Sequence, residues 1–152
     1  MSLVLGGWEL STIVSAQTGT PYTVFTGIDA SLTAAGADRP DLVGNPYFSG
    51  NRSRQQEIAA YINPAAFAVN NGHFGNLGRN TFTNPGLFNT DLGLFKNIPL
   101  ERVTLQFRTE FFNTFNQVHL GSPVNIVVSP ALGQITSAGD PRLIQFALKL
   151  TW

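Results

Sequence analysis

Hydrophobic and polar residues alternate with a period of two along four stretches of 11 or 12 residues. These stretches are Gly7–Gln17, Leu87–Asn97, Arg102–Asn113 and Arg142–Trp152. Alternation of this kind predicts β-strands with one apolar and one polar face, whereas helical periodicity is poor throughout the chain. Strands of globular proteins are usually about 5–6 residues long. The greater length found here is instead typical of tilted strands that cross the hydrocarbon layer of a membrane.

The third and fourth stretches show the clearest segregation of side chains. Their apolar positions are Val103, Leu105, Phe107, Thr109, Phe111, Ile144, Phe146, Leu148, Leu150 and Trp152. The positions between them include Arg102, Thr104, Gln106, Arg108, Glu110, Arg142, Gln145, Ala147, Lys149 and Thr151. Aromatic residues lie near the strand ends at Trp8, Phe88, Phe111 and Trp152. We interpret them as a girdle at the membrane surfaces, in preference to the core of a soluble β-protein.

The connections between the stretches differ greatly in length. Ile98–Glu101 is predicted to be a tight turn, whereas Thr18–Gly86 and Thr114–Pro141 are long loops rich in Gly, Pro, Asn and Ser. Outer-membrane barrels have short periplasmic turns and long external loops, so the turn is assigned to the periplasmic side and the loops to the outside. Tyr22–Thr26 is considered as an extension of the first strand beyond an interruption at Gly19–Pro21.

These elements predict one all-β domain over residues 1–152. Its fold class is an antiparallel meander of about four long strands with two long loops. The strands would form part of a β-barrel, or of an oligomeric β-sandwich or composite barrel, because roughly eight strands are needed to close a barrel in one copy.

Composition narrows the possible environments and partners. Charged residues make up 12% of the chain and the formal net charge is zero, which argues against nucleic acid as a partner. The chain has no cysteine, so disulfides and thiolate metal sites are excluded. Met1–Gly7 shows no signal peptide, and the isolated chain is expected to stay in the cytoplasm unless an export signal lies upstream.

An ordered series of short phrases carries a family resemblance. The series comprises Gly-Gly-Trp-Glu-Leu-Ser at 6–11, Gln-Thr-Gly-Thr-Pro-Tyr-Thr-Val at 17–24, Asp-Arg-Pro-Asp-Leu-Val-Gly at 38–44, Ile-Asn-Pro-Ala-Ala-Phe at 62–67, Phe-Gly-Asn-Leu-Gly-Arg-Asn at 74–80, Asp-Leu-Gly-Leu-Phe-Lys-Asn at 91–97, Leu-Gln-Phe-Arg-Thr-Glu-Phe-Phe-Asn-Thr-Phe-Asn at 105–116 and residues 133–150. In this order the chain resembles the C-terminal end of TonB-dependent outer-membrane receptors that carry a carboxypeptidase-regulatory-like domain. The final strand, which ends at Trp152, also resembles the assembly signal of outer-membrane proteins.

The resemblance implies a barrel-wall segment of a receptor in the bacterial outer membrane. Its partner would be outer-membrane lipid, which the apolar strand faces would contact. A complete receptor of this family also has a plug, an energy-coupling segment and about 22 strands, which this chain does not show. Transport is therefore expected of a larger parent protein.

Five side chains are candidates for chemistry. His73 and His119, one in each long loop, could act as an acid–base or metal-binding pair, but no carboxylate or second histidine lies at ligand spacing from either. Asp91 could approach Arg108 or Glu110 on a neighbouring strand and form a carboxylate pair. Ordinary loop histidines and ion pairs across a barrel lumen are the favoured interpretation, and no metal or cofactor site is expected.

A second hypothesis concerns a soluble form of the chain. Exposed apolar faces of this size would have to pack against each other, so a homo-oligomer is expected if the chain is soluble. A cleft between its strands or subunits could then combine the same five candidate residues into a weak hydrolase. No nucleophile elbow, Walker loop or dinucleotide-binding fingerprint supports an enzyme.

Overall fold

A computed structural model describes residues 5–34 and 36–152. The described residues divide into two compact units. The sheet unit consists of the chain up to Gln17 together with Leu87–His119 and Asp140–Trp152. The loop unit consists of Thr18–Gly86 and Leu120–Gly139. The single domain expected over residues 1–152 stays a prediction, and each unit is described by itself.

Strands dominate the described part of the chain. They are β1 (Trp8–Gln17), β2 (Pro21–Tyr22), β3 (Asp41–Leu42), β4 (Phe67–Ala68), β5 (Phe82–Thr83), β6 (Leu87–Leu100), β7 (Val103–Phe112) and β8 (Leu143–Thr151). The helical elements among the described residues are short: the α-helix α1 (Arg54–Ala59) and a 3₁₀-helix (Pro64–Ala66). No helix within residues 5–34 and 36–152 is long and apolar enough to cross a membrane.

The sheet unit is built on one four-stranded antiparallel sheet with the order β1-β6-β7-β8. The four alternating stretches of the sequence account for these strands, so the prediction of an all-β fold with an antiparallel meander is confirmed. Strand lengths of 9 to 14 residues exceed those of ordinary globular strands.

The register collects the apolar side chains on one face of the sheet, which we call the apolar face. Leu94 of β6, for example, pairs with Leu10 of β1 on one side and with Thr109 of β7 on the other. The apolar face comprises Trp8, Leu10, Thr12, Val14, Ala16, Phe88, Thr90, Leu92, Leu94, Lys96, Ile98, Leu105, Phe107, Thr109, Phe111, Ile144, Phe146, Leu148 and Leu150. Side chains of successive residues point to opposite faces of a strand, so the residues between them form the polar face.

Lys96 is the one charged residue in this set, and its surroundings explain how it is tolerated. Its side chain is 7% exposed, and its ammonium group lies 4.9 Å from the centroid of the Trp8 ring and donates a hydrogen bond to the Gly6 carbonyl. The aromatic ring and the carbonyl together compensate the charge. Alternation alone did not single out this contact.

The turn between β6 and β7 is shorter than predicted. β6 continues to Leu100, which pairs with Val103, so that only Glu101 and Arg102 form the turn instead of Ile98–Glu101. Proline in a strand is normally a poor fit. Pro99 nevertheless pairs with Thr104, the position next to the closing pair of a two-residue hairpin, where no ladder N–H bond is required.

The extension of the first strand through Tyr22–Thr26 is wrong. β2 pairs with β5 in a separate two-stranded sheet. The break comes at Gly19, whose backbone approaches Asn84 so closely that an added Cβ atom would lie 1.6 Å from the Asn84 carbonyl oxygen. Only a glycine allows this approach, which holds Gly19 against the residue that follows β5.

The segments predicted as long loops contain a hydrophobic core of their own. It comprises Val24, Ile62, Ala66, Phe67, Leu77, Phe82 and Leu132. Phe82 is 2% exposed, and its ring lies 5.6–5.8 Å from the rings of Tyr22, Tyr47 and Phe67. Short elements frame this core, and α1 begins with a capping box formed by Ser53 and Gln56. The loop unit is therefore a packed structure.

Candidate functional site

The polar face of the sheet carries three of the five candidate side chains. Nη2 of Arg108 lies 2.9 Å from Oε1 of Glu110, two residues further along the same strand. The guanidinium of Arg108 also stacks on the ring of Phe95, 4.8 Å from its centroid. Glu110 is thus paired within its own strand, and both side chains are partly exposed. An ion pair of this kind suits the wall of a solvated lumen.

Asp91 of β6 holds the backbone just after the end of β7. Its Oδ1 accepts hydrogen bonds from the Asn113 backbone N–H at 2.8 Å and from the Asn89 side-chain amide at 2.9 Å. The register pairs Gly93 with Glu110 and Phe95 with Arg108, so Asp91 lies two residues from the partner of Glu110 and four from the partner of Arg108. The ion pair of Arg108 is formed with Glu110 and not with Asp91. Asp91 and Glu110 do line one hollow of about 90 Å³, but each carboxylate is engaged by another group.

The two histidines belong to different units. His119 lies in the sheet unit, where Nε2 is 3.0 Å from the Phe88 carbonyl oxygen. It lines a larger hollow of about 550 Å³ together with Asp91, Asp140 and Gln145. His73 lies in the loop unit. The structure therefore brings four of the five candidates into the sheet unit, and their chemical role stays a prediction.

His73 has a carboxylate partner that sequence spacing did not reveal. Its Nε2 lies 2.9 Å from Oδ2 of Asp41, which is 32 residues away in the sequence, and Oδ1 of Asp41 accepts the Asn76 backbone N–H at 3.0 Å. The hydrogen bond that His73 donates to the Asp41 carboxylate raises the pKa of His73 and lowers the pKa of Asp41. This pair links β3 to the segment that follows Asn70.

The loop unit also contains a hollow of about 430 Å³ that is lined by Arg39 and Arg79. Phe74 lies on the same wall, and residue spacing in the sequence gave no signal for either Phe74 or Arg79. Asp38 is buried and accepts hydrogen bonds from Ser31 through both carboxylate oxygens. Within the residues that the structure describes, no group of three or more His, Cys, Asp or Glu side chains could hold a metal ion.

A family model described as an outer membrane beta barrel domain matches residues 1–145. The chain belongs to this outer-membrane β-barrel family. No curated protein and no solved structure matches the chain.

Family membership gives the four-stranded sheet its role. Long antiparallel strands with one apolar and one polar face are what a wall of an outer-membrane β-barrel requires. The expectation of an outer-membrane barrel-wall segment is therefore confirmed, and the protein that carries this domain is located in the outer membrane. Since four strands do not close a barrel, the wall needs further strands beside β1 and β8.

Proposed function

We propose that the chain is part of the wall of a TonB-dependent outer-membrane receptor, with the apolar face against lipid and the polar face toward the lumen. The observation that carries this proposal is the segregation of side chains across four hydrogen-bonded strands. Leu10, Phe146 and Leu148 are 66–70% exposed on the apolar face. A soluble monomer rarely leaves an apolar surface of this kind uncovered, whereas hydrocarbon covers it without any further protein contact.

The topology of the sheet supports an assignment of its two ends. The Glu101–Arg102 turn lies at one end, whereas the ends of β1, β6, β7 and β8 that connect to the loop unit lie together at the other. Outer-membrane barrels have short turns on the periplasmic side and long connections outside. We therefore place the loop unit in the extracellular part of the receptor.

The receptor class rests on the ordered phrases that the chain shares with TonB-dependent receptors. Among them, 74–80 lie in the loop unit and 91–97 and 105–116 in the sheet unit, so the likeness extends over both. Barrels of such receptors have about 22 strands around a plug, and the parent protein would take up a bulky nutrient or metal complex. The present chain would contribute wall strands and an external unit.

The test is to isolate the protein from the outer membrane of its source organism and identify the polypeptide that contains these peptides by mass spectrometry. The proposal predicts a long polypeptide with a plug domain that binds the purified periplasmic domain of TonB. A short polypeptide that forms a barrel of eight to ten strands without TonB binding would overturn the receptor proposal, while a barrel-wall role for the sheet would remain.

A further inference from the structure

The hollow of about 430 Å³ in the loop unit has the size of a small-molecule site, and we call it the arginine hollow. Its wall includes Thr23, Phe25, Arg39, Phe74, Arg79 and Asn80. Phe74 is 69% exposed, although a large aromatic side chain of the loop unit would gain by burial in the core. An exposed ring beside two cationic side chains is a combination that suits a ligand with both a ring and a negative charge.

The arginine hollow carries an excess of positive charge, because two arginines and one aspartate line it. The ion pairs found among residues 5–34 and 36–152 join His73 to Asp41 and Arg108 to Glu110, so neither Arg39 nor Arg79 takes part in one. Asp38 is the acidic residue of the wall, but its Oδ2 accepts the Ser31 backbone N–H at 2.7 Å and its Oδ1 accepts the Ser31 hydroxyl at 3.0 Å. The lining therefore combines two arginines with one aspartate whose carboxylate oxygens are held by Ser31, which leaves a net charge of +1.

The backbone around the arginine hollow is held in place before any ligand arrives. Gly75 packs against the segment of Arg39 and Pro40 so closely that an added Cβ atom would lie 2.1 Å from the Arg39 carbonyl oxygen. Close by, the Leu77 N–H donates to the Pro40 carbonyl at 3.2 Å, and the Asn80 N–H donates to the Thr23 hydroxyl at 2.8 Å. The segments that carry the two arginines are thus fixed, which lowers the entropic cost of binding.

We infer that the arginine hollow binds a small acidic sugar, with the anionic group held by Arg39 and Arg79 and the sugar ring packed on Phe74. Guanidinium groups bind carboxylate and sulfate through paired, charge-assisted hydrogen bonds. The side-chain amide of Asn80, whose Oδ1 accepts the Thr23 hydroxyl at 3.1 Å, can donate its N–H groups to sugar hydroxyl groups. This inference concerns the loop unit alone and does not depend on the transport proposal.

The experiment is a calorimetric titration of the full chain, folded in detergent micelles, with glucuronate, glucose and inorganic sulfate. Saturable binding of glucuronate is expected, with much weaker binding of glucose, which lacks the charge, and of sulfate, which lacks the ring. Arg79→Gln is expected to weaken glucuronate binding about tenfold or more, since a hydrogen bond to a charged group is lost. Phe74→Ala should weaken glucuronate binding but leave that of sulfate unchanged.

Arg54→Gln is the matched control, because Arg54 is an exposed arginine of α1 that does not line the arginine hollow. Its affinity for glucuronate should equal that of the unmodified chain. Equal affinities in Arg79→Gln and Arg54→Gln, or no saturable binding of glucuronate to the unmodified chain, would overturn the inference. Sulfate binding as tight as that of glucuronate would overturn the assignment to a sugar. The comparison of ligands on the unmodified chain keeps the test decisive even where a variant fails to fold.

Discussion

Nε2 of His73 lies 2.9 Å from Oδ2 of Asp41, and this contact joins two segments of the loop unit that are 32 residues apart in the sequence. Asp41 accepts a second hydrogen bond from the Asn76 backbone N–H. The carboxylate therefore connects β3 with His73 and with Asn76, which follows the residues Phe74 and Gly75 of the arginine hollow. The contact between His73 and Asp41 gives the loop unit a defined dependence on pH.

The stabilisation from this pair is greatest in a window of mildly acidic pH. Hydrogen bonding to Asp41 raises the pKa of His73 above 6.5, so its contribution is complete below 6.5 and is lost as the pH rises through the raised value. Hydrogen bonding to His73 lowers the pKa of Asp41 below 3.8, so its contribution is complete above 3.8 and is lost as the pH falls through the lowered value. Both contributions are therefore present together between pH 3.8 and 6.5.

An NMR titration of the His73 ring measures this coupling directly. Asp41→Asn is expected to lower the pKa of His73, because the neutral amide no longer favours the protonated ring. Glu57→Gln removes a carboxylate of α1 and should leave the titration of His73 unchanged. An unaltered titration in Asp41→Asn would show that the pair does not form.

Phe82 is expected to dominate the stability of the loop unit. Phe82→Ala removes a ring that is 2% exposed and contacts three other aromatic rings, and we expect a loss of about 3–5 kcal/mol in the free energy of unfolding. Phe74→Ala, which truncates a ring that is 69% exposed, should cost at most about 0.5 kcal/mol. Urea unfolding followed by amide exchange in the loop unit compares the two, and similar losses would contradict the core described here.

Trp8 is expected to matter for the sheet because it covers Lys96. Trp8→Ala removes the ring from the ammonium group, and the lost cation–π contact alone is expected to cost about 0.5–2 kcal/mol where the charge is shielded from water. Phe115→Ala removes a ring of the sheet unit that is 68% exposed and serves as the control. Unfolding by urea in lipid vesicles should show the larger loss for Trp8→Ala, and equal losses would argue against a role of the ring in shielding Lys96.

Asp91 is expected to act through the backbone of the sheet unit. Asp91→Ala leaves the Asn113 N–H without its acceptor, which is expected to cost about 1–3 kcal/mol. Hydrogen exchange of the Asn113 amide should therefore become at least tenfold faster. Glu9→Ala changes an exposed carboxylate on the same face and should have no such effect. Unchanged exchange in Asp91→Ala would mean that this hydrogen bond does not hold the end of the strand.

The long strands could be predicted from the sequence because a sheet with one apolar face repeats every two residues. Phe107, for example, lies two residues after Leu105 and two residues before Thr109. The register keeps this set on one face together with its partners in β6 and β8. The end of β6 was harder to predict, because a proline usually indicates a turn. Pro99 nevertheless lies within the strand, at a position of the ladder that requires no N–H donor. Boundaries depend on such local details of pairing.

The loop unit could not be predicted because its core has no period. Val24, Ile62 and Leu132 are buried in one cluster but come from distant and irregular segments. The same holds for its polar contacts, in which His73 meets Asp41 and Arg79 shares a wall with Arg39. These arrangements arise only when the chain packs, so residue spacing alone does not reveal them.

The central claim is that the apolar face of the sheet meets lipid in the assembled barrel. The chain has no cysteine, so single-cysteine variants along β8 carry a nitroxide label at one defined position. The positions to be labelled are Ile144, Gln145, Phe146, Ala147, Leu148 and Lys149. In the membrane-embedded protein, we predict that labels at 144, 146 and 148 collide with oxygen, and that those at 145, 147 and 149 collide with a water-soluble nickel chelate. Loss of this alternation, or access of the chelate to both sets, would contradict the account.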